Sequence, residues 1–130
     1  MNKLATFALA SAFGLSTLFT AGCAARSHVA YVPHSGDVAS EASPEIEVLL
    51  DRAPERPFVV TGQLFAQSFS NPQSIDLMEA KAKAAGLDGI YWIDCTSTCS
   101  GHCTAKGFVY EDHAVAKGFN LDHRQIASSR

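Results

Sequence analysis

Residues 58–86, FVVTGQLFAQSFSNPQSIDLMEAKAKAAG, decide the fold, because they place a long strand directly before an amphipathic helix. The first part is rich in aromatic and β-branched side chains, which favour a strand. Gly62 within it indicates a bulge or a close backbone contact. Asn71 and Pro72 are typical of a helix start, as N-cap and first helical residue. Gly86 suits the position just past the helix end.

Apolar spacing in this segment and its neighbours completes the predicted layout. Four residues recur at helical spacing and form one apolar stripe: Ile75, Met78, Ala82 and Ala85. Residues 46–50 and 104–110 are predicted as strands, and residues 89–94 as an interior strand that is apolar on both faces. The expected fold class is α+β, with a small four-stranded, mostly antiparallel sheet and one helix, in the order strand-strand-helix-strand-strand.

The N-terminus carries a pattern typical of export. Lys3 is followed by an uncharged run to residue 22 that is rich in Leu, Phe and Ala, and small residues stand directly before Cys23. A basic start, an apolar run and small residues at a cleavage point are the parts of an export signal. An uncleaved anchor and simple secretion are the alternatives, since the run is about long enough to span a bilayer.

Thr20-Ala21-Gly22-Cys23 resembles the lipobox of bacterial lipoproteins, in which small residues precede an obligatory cysteine. The family usually has Leu where Thr20 stands. The resemblance implies cleavage after residue 22 and lipidation of Cys23, and two or three acyl chains are enough for stable anchoring. By the same analogy, Ala24 favours the periplasmic face of the outer membrane.

The chain divides into four predicted regions. Residues 1–22 are the expected lipoprotein signal peptide, and residues 23–44 are the lipidated cysteine and a flexible tether, because this stretch is rich in Ala, Ser, Pro and Gly. Residues 45–111 are the expected periplasmic domain, and residues 112–130 a weakly ordered tail. The organisation predicts one small domain held near a membrane.

Charge argues against some partners. Removing residues 1–22, which hold one of the 10 cations, leaves 9 Lys and Arg against 13 Asp and Glu, a formal net charge of −4. That balance disfavours nucleic acid and anionic lipid surfaces, both of which attract a basic patch. We therefore expect no nucleic-acid partner. No catalytic set of residues stands out, so the expected function is non-enzymatic, with no cofactor and with a protein partner in the envelope for sensing or assembly.

The chemistry of the chain is concentrated in residues 95–103, CTSTCSGHC, which are predicted to form a hairpin loop. An exported chain meets an oxidising compartment, and Cys95 and Cys103 at the two ends of the loop are within range of a disulfide. Cys99 would then remain a free thiol. The alternatives are a zinc or copper site formed by Cys95, Cys99, His102 and Cys103, and thiol redox chemistry or an intermolecular disulfide through Cys99.

The stretch from residue 46 to residue 110 resembles the periplasmic domain of the Rcs envelope-stress sensor lipoprotein family. The similar features are the strand at residues 46–50, Pro57-Phe58 with Gly62, the helix ending Lys83-Ala84-Ala85-Gly86, and the strand at residues 89–95 followed by two cysteines. The resemblance implies a small sheet with one helix, and it pairs Cys95 with Cys103. The family's cysteine after its first long strand is missing here, which leaves Cys99 without a partner.

Overall fold

The computed structural model describes residues 26–34, 41–97 and 100–119. The fold is α+β, with one mixed five-stranded sheet in the order β1-β3-β5-β4-β2. The elements along the chain are β1 His28–Pro33, β2 Glu47–Leu49, β3 Phe58–Ser68, α1 Asn71–Ala84, β4 Gly89–Ser97, β5 Gly101–Tyr110 and α2 Glu111–Ala114. Within these ranges, no helix is long and apolar enough to cross a membrane.

The centre of the sheet is β5, which pairs antiparallel with β3 on one side and with β4 on the other. On the outer side of β3 lies β1, also antiparallel. The short strand β2 pairs parallel with β4 and forms the opposite edge. The predicted fold class is therefore confirmed, but the predicted number of strands is wrong, because the sheet has a fifth strand.

The additional strand is β1, and it lies inside the segment predicted as a flexible tether. Its residues pair in continuous register with β3, from His28 opposite Gln67 to Pro33 opposite Gly62. Val29 and Tyr31 are partly buried against the main core. The tether prediction for residues 23–44 is thus wrong over the strand. Its first residues and residues 35–40 lie outside the described part of the chain.

The start and end of α1 follow local chemistry. The N-cap is Ser70, one residue earlier than predicted, and its hydroxyl oxygen accepts a hydrogen bond from the Gln73 backbone N–H at 3.4 Å. Asn71 is the first helical residue, so Pro72 still falls in the first turn, where a missing N–H costs nothing. At the other end Gly86 has φ 72°, a left-handed conformation that glycine adopts without strain.

The buried side of α1 contains one polar residue that the apolar stripe did not predict. Met78 and Ala82 are fully buried, whereas Ile75 is only partly buried and Ser74 takes the innermost position beside them. The Ser74 hydroxyl donates to the Gly101 carbonyl oxygen at 2.8 Å and lies 2.9 Å from the Ser68 hydroxyl. These bonds satisfy the buried polar group and tie the helix start to β5.

The two faces of the sheet are covered unequally. One face packs against α1, which contacts β1, β3, β4 and β5, and forms the main core. The other face is covered at one end only, by an aromatic cluster with ring centroids 5.3–5.8 Å apart in edge-to-face contacts. The members of this cluster are Leu49, Phe58, Tyr91, Phe108 and Tyr110. The remainder of this second face is the surface that we call the open face.

Candidate functional site: the open face, the disulfide and the Asp88 cluster

The predicted disulfide is confirmed. Cys95 and Cys103 are directly opposite each other on β4 and β5, with Cα atoms 4.1 Å apart, and their sulfurs are bonded. The bond lies on the helix side of the sheet, where Cys103 is fully buried. Cys99, the predicted free thiol, and Cys23, the predicted lipidation site, lie outside the described residues. The disulfide therefore closes the strand ends of the predicted loop and belongs to the core.

His102 is separated from the sulfurs with which it was predicted to bind metal. It is exposed and points to the opposite face of the sheet from Cys103, because neighbouring residues of a strand alternate between faces. Disulfide sulfurs are also not the thiolates that bind zinc or copper(I). Among the described residues, no group of three His, Cys, Asp or Glu side chains is placed to hold a metal ion. Of the described members of this predicted set, the structure brings Cys95 and Cys103 together as a disulfide and places His102 on the opposite face.

Trp92 has the most unusual backbone of the described residues. Its φ is 48°, and the register between β4 and β5 shifts between Tyr91 and Asp94. A left-handed conformation costs a non-glycine residue about 1–2 kcal/mol. The bulge leaves the indole 55% exposed, tilted against the Tyr91 ring at 5.8 Å, with the Lys106 ammonium 4.6 Å from the ring centroid. The strained backbone therefore holds a large apolar side chain on the surface.

Around Trp92 the open face forms a shallow surface of mixed chemistry. Its depression, about 330 Å³ in volume, is lined by Gln63, Phe65, Trp92, Asp94, Thr104, Ala105 and Lys106. Val32 on the neighbouring β1 is 53% exposed and extends the surface. Sequence reasoning placed Trp92 in the sheet. The signal for the bulge was the order Ile90, Tyr91, Trp92, Ile93, in which one extra aromatic residue interrupts the alternation of inward and outward side chains.

The second site surrounds Asp88 at the other end of the sheet. Its Oδ1 lies 2.5 Å from Lys117 Nζ, and its Oδ2 accepts the Tyr110 backbone N–H at 2.7 Å and lies 3.0 Å from His113 Nδ1. Burial raises the pKa of Asp88, but the Lys117 hydrogen bond, the Tyr110 N–H, the Lys117 charge and His113 together hold this pKa below its ordinary value. Asp88 is therefore kept as a carboxylate.

Tyr110 forms the wall of the same site. Its hydroxyl donates to the Glu47 carboxylate, and the Arg56 guanidinium lies 3.7 Å from its ring centroid. Burial, together with Glu47, raises the pKa of the Tyr110 phenol against the opposing effect of Arg56. These contacts surround a cavity of about 740 Å³. Seven residues that line this cavity form what we call the Asp88 cluster: Ser43, Glu47, Arg56, Asp88, Tyr110, His113 and Lys117.

The Asp88 cluster binds the end of the described chain to the sheet. Lys117 donates to Ser43 Oγ at 2.8 Å and to the Gly86 carbonyl at 3.0 Å, as well as to Asp88. An ammonium has three donors, and all three therefore have acceptors. The geometry is that of a structural clasp for residues 111–119.

This clasp corrects the predicted domain boundary. Residues 112–130 were expected to be a weakly ordered tail, yet Ala114 is fully buried and Phe119 is 7% exposed. Both belong to the main core. The tail prediction is therefore wrong as far as Phe119, and residues 120–130 lie outside the described chain. The sequence pattern missed the connection because Asp88 and Lys117 are far apart along the chain.

No family model matches the chain, and neither a curated protein nor a solved structure was found to be similar to it. The resemblances to lipoproteins and to the Rcs sensor domain stay predictions from the sequence.

Proposed function

We propose that the chain is a non-enzymatic lipoprotein of the bacterial envelope, anchored through lipid on Cys23 to the periplasmic face of the outer membrane. The folded domain is presented to a protein partner, in envelope sensing or assembly. The observation that carries this proposal is the bond between Cys95 and Cys103, because structural disulfides persist in oxidising compartments such as the periplasm. The export pattern of residues 1–23 independently leads to the same compartment.

The partner binds the open face around Trp92. Tryptophan is enriched among the few residues that carry most of the energy of a protein interface. Backbone strain also concentrates at sites where function requires a particular placement of a side chain. Trp92 combines both features, and Lys106 beside it supplies a charge that can pair with an acidic group of the partner. The open face is thus the part of the sheet surface that packs into neither the main core nor the aromatic cluster.

Intact mass spectrometry of protein extracted from membranes tests the anchor. We expect a chain beginning at Cys23 that carries the added mass of two or three acyl chains, in the outer-membrane fraction. The Cys23→Ser variant provides the control, since it should stay unacylated. Acyl-free protein that retains residues 1–22, or that begins at another residue, would overturn the lipoprotein assignment. The same spectrum reports how many cysteines are oxidised.

Site-specific photocrosslinking in cells tests the partner surface. A photoreactive amino acid at Gln63, exposed on the open face, should give one defined crosslinked envelope protein. The matched position is Ala80, which is exposed on the outer side of α1 and should not give that product. Adding Trp92→Asn to the Gln63 probe should abolish the product. Identical products from Gln63 and Ala80 would contradict binding at the open face.

A further inference from the structure

The start of β1, which is the described strand closest in sequence to the proposed anchor Cys23, lies at one end of the sheet. His28 at the start of β1 is opposite Gln67 near the end of β3, Gln67 is opposite His102 of β5, and His102 is opposite Thr96 of β4. These four residues form one row across the sheet, and all are exposed. The hairpin end, as we call it, comprises residues 26–28, 67–72, 95–96 and 100–103.

The chain between Cys23 and this end is short. Only residues 24–27 separate Cys23 from β1, whereas the predicted tether of residues 24–44 had 21 residues. Five fully extended Cα–Cα steps span at most about 18 Å, against about 70 Å for a 21-residue tether. A lipid-bearing Cys23 therefore restricts the start of β1 to within about 18 Å of the membrane interface. The domain is held at the bilayer surface.

An exposed aromatic side chain lies at the same end. Phe69 follows the last residue of β3 in the turn that leads into α1, and it is 66% exposed. Its neighbour across the sheet is the start of β5, since Ser68 is opposite Gly101. Exposed Pro72 in the first turn of α1 adds a second apolar side chain nearby. Aromatic and apolar side chains of this kind insert at the headgroup boundary of a bilayer.

The hairpin end itself contains no Asp or Glu, and the carboxylates nearest to it in sequence are Asp94 and Asp76. The described ionisable residues of the hairpin end are Arg26, His28 and His102. The opposite end carries five carboxylates around its two depressions, from Glu45, Glu47, Asp88, Glu111 and Asp112. The net charge of −4 that disfavours a lipid surface for the chain as a whole is therefore absent from this end.

From this placement we infer that the hairpin end lies against the bilayer that holds the anchor, with Phe69 inserted among the lipid headgroups. The inference rests on the proposed lipidation of Cys23, which supplies the short connection. The surface bound is the bilayer itself, since an end that carries Arg26, an exposed aromatic ring and no carboxylate suits phosphate-bearing headgroups better than the opposite end with its five carboxylates. The open face and Trp92 are then left lateral to the membrane and accessible to the protein partner.

The single tryptophan of the chain provides a matched pair of probes. The test uses the full lipidated protein in vesicles of phosphatidylethanolamine and phosphatidylglycerol, some of them with a spin-labelled headgroup that quenches indole fluorescence. The wild type reports on Trp92, and the double variant Phe69→Trp, Trp92→Phe reports on the hairpin end. We expect the double variant to lose most of its emission and to shift to shorter wavelength, while the wild type shows neither change.

A second variant tests the role of the short connection. A flexible Gly/Ser insert of about twelve residues between Ala25 and Arg26 lowers the effective concentration of the domain at the surface. In the background of the double variant, this insert should restore most of the quenched emission. A urea unfolding curve like that of the wild type shows that each variant is folded.

The outcomes separate this inference from the anchor on which it rests. Absence of acyl chains on Cys23, read by mass spectrometry of the same sample, overturns both. Acylated protein in which the probe at residue 69 keeps its full emission overturns the docking and leaves the anchor intact. Equal quenching at residues 69 and 92 also overturns it, because the domain then has no preferred end.

Discussion

The hairpin end of the sheet is fastened by a covalent bond, whereas the opposite end is fastened by charges. Cys95 and Cys103 close the β4–β5 pair within the core. At the other end, Asp88, Lys117 and Tyr110 join residues 111–119 to the sheet. A disulfide is insensitive to acid and salt but is broken by a reductant. An ion-pair network is weakened by acid and salt and is insensitive to a reductant. The two ends should therefore fail under different conditions.

Removing the disulfide should have the largest effect. The double variant Cys95→Ala, Cys103→Ala frees a closed loop of about nine residues, which lowers the free energy of unfolding by about 2.5 kcal/mol in the chain-entropy model. Urea unfolding curves measure this loss. Dithiothreitol should lower the wild type to a similar level and leave the double variant unchanged. An equal response of both proteins to the reductant would show that the disulfide is not the fastening element.

Asp88→Asn should cost somewhat less. The change leaves the Lys117 ammonium without its anionic partner in a mostly buried site, where the side chains of Lys117 and Asp88 are 23% and 11% exposed. We expect a loss of about 2 kcal/mol in the free energy of unfolding. Asp76→Asn on the exposed side of α1 is the control and should change the urea midpoint very little. A similar loss in both variants would argue against the clasp.

Acid should remove the contribution of the Asp88 carboxylate to the free energy of unfolding. The folded pKa of Asp88 is lowered from its ordinary value of 3.8, so its contribution is complete above that value. This contribution is lost as the pH falls from 3.8 through the lower folded pKa. Over this range the carboxyl group of Asp88 binds a proton more readily in the unfolded chain than in the folded chain, so protonation favours unfolding. The difference in stability between wild type and Asp88→Asn should therefore shrink from about 2 kcal/mol towards zero below pH 3.8. Urea curves at a series of pH values measure it, and a constant difference would refute the assignment.

Trp92→Asn should have the smallest effect on stability. Asparagine tolerates a positive φ, so the relief of strain offsets the lost contact with Lys106, and we expect a change within about 1 kcal/mol. Trp92→Val provides the contrast, since a β-branched residue is strained at this φ and should be less stable than the Asn variant. Both variants should lose the crosslink from Gln63. A large loss of stability in the Trp92→Asn variant would contradict this, because it would show that the Trp92 side chain packs as part of the core.

Local chemistry made part of this fold predictable. The left-handed Gly86, the strand before α1 and the disulfide between Cys95 and Cys103 each depend on residues close in sequence or on opposite ends of one loop. Strand β1 escaped prediction because its six residues, bounded by polar and small residues, gain their stability only by pairing with β3. The Asp88–Lys117 pair escaped because two charges 29 residues apart carry no pattern that joins them.

The edge strand β1 also determines how force enters the molecule. If Cys23 is fixed in the bilayer while a partner holds the open face, tension reaches the domain at His28 and acts along the axis of β1. The strand runs antiparallel beside β3 over six residue pairs, so their hydrogen bonds bear the load together, in shear, and not one after another. Such a ladder is a mechanically strong way to join a domain to its anchor. Movement of the partner relative to the membrane is then transmitted through the sheet, and the connection has little slack to absorb it.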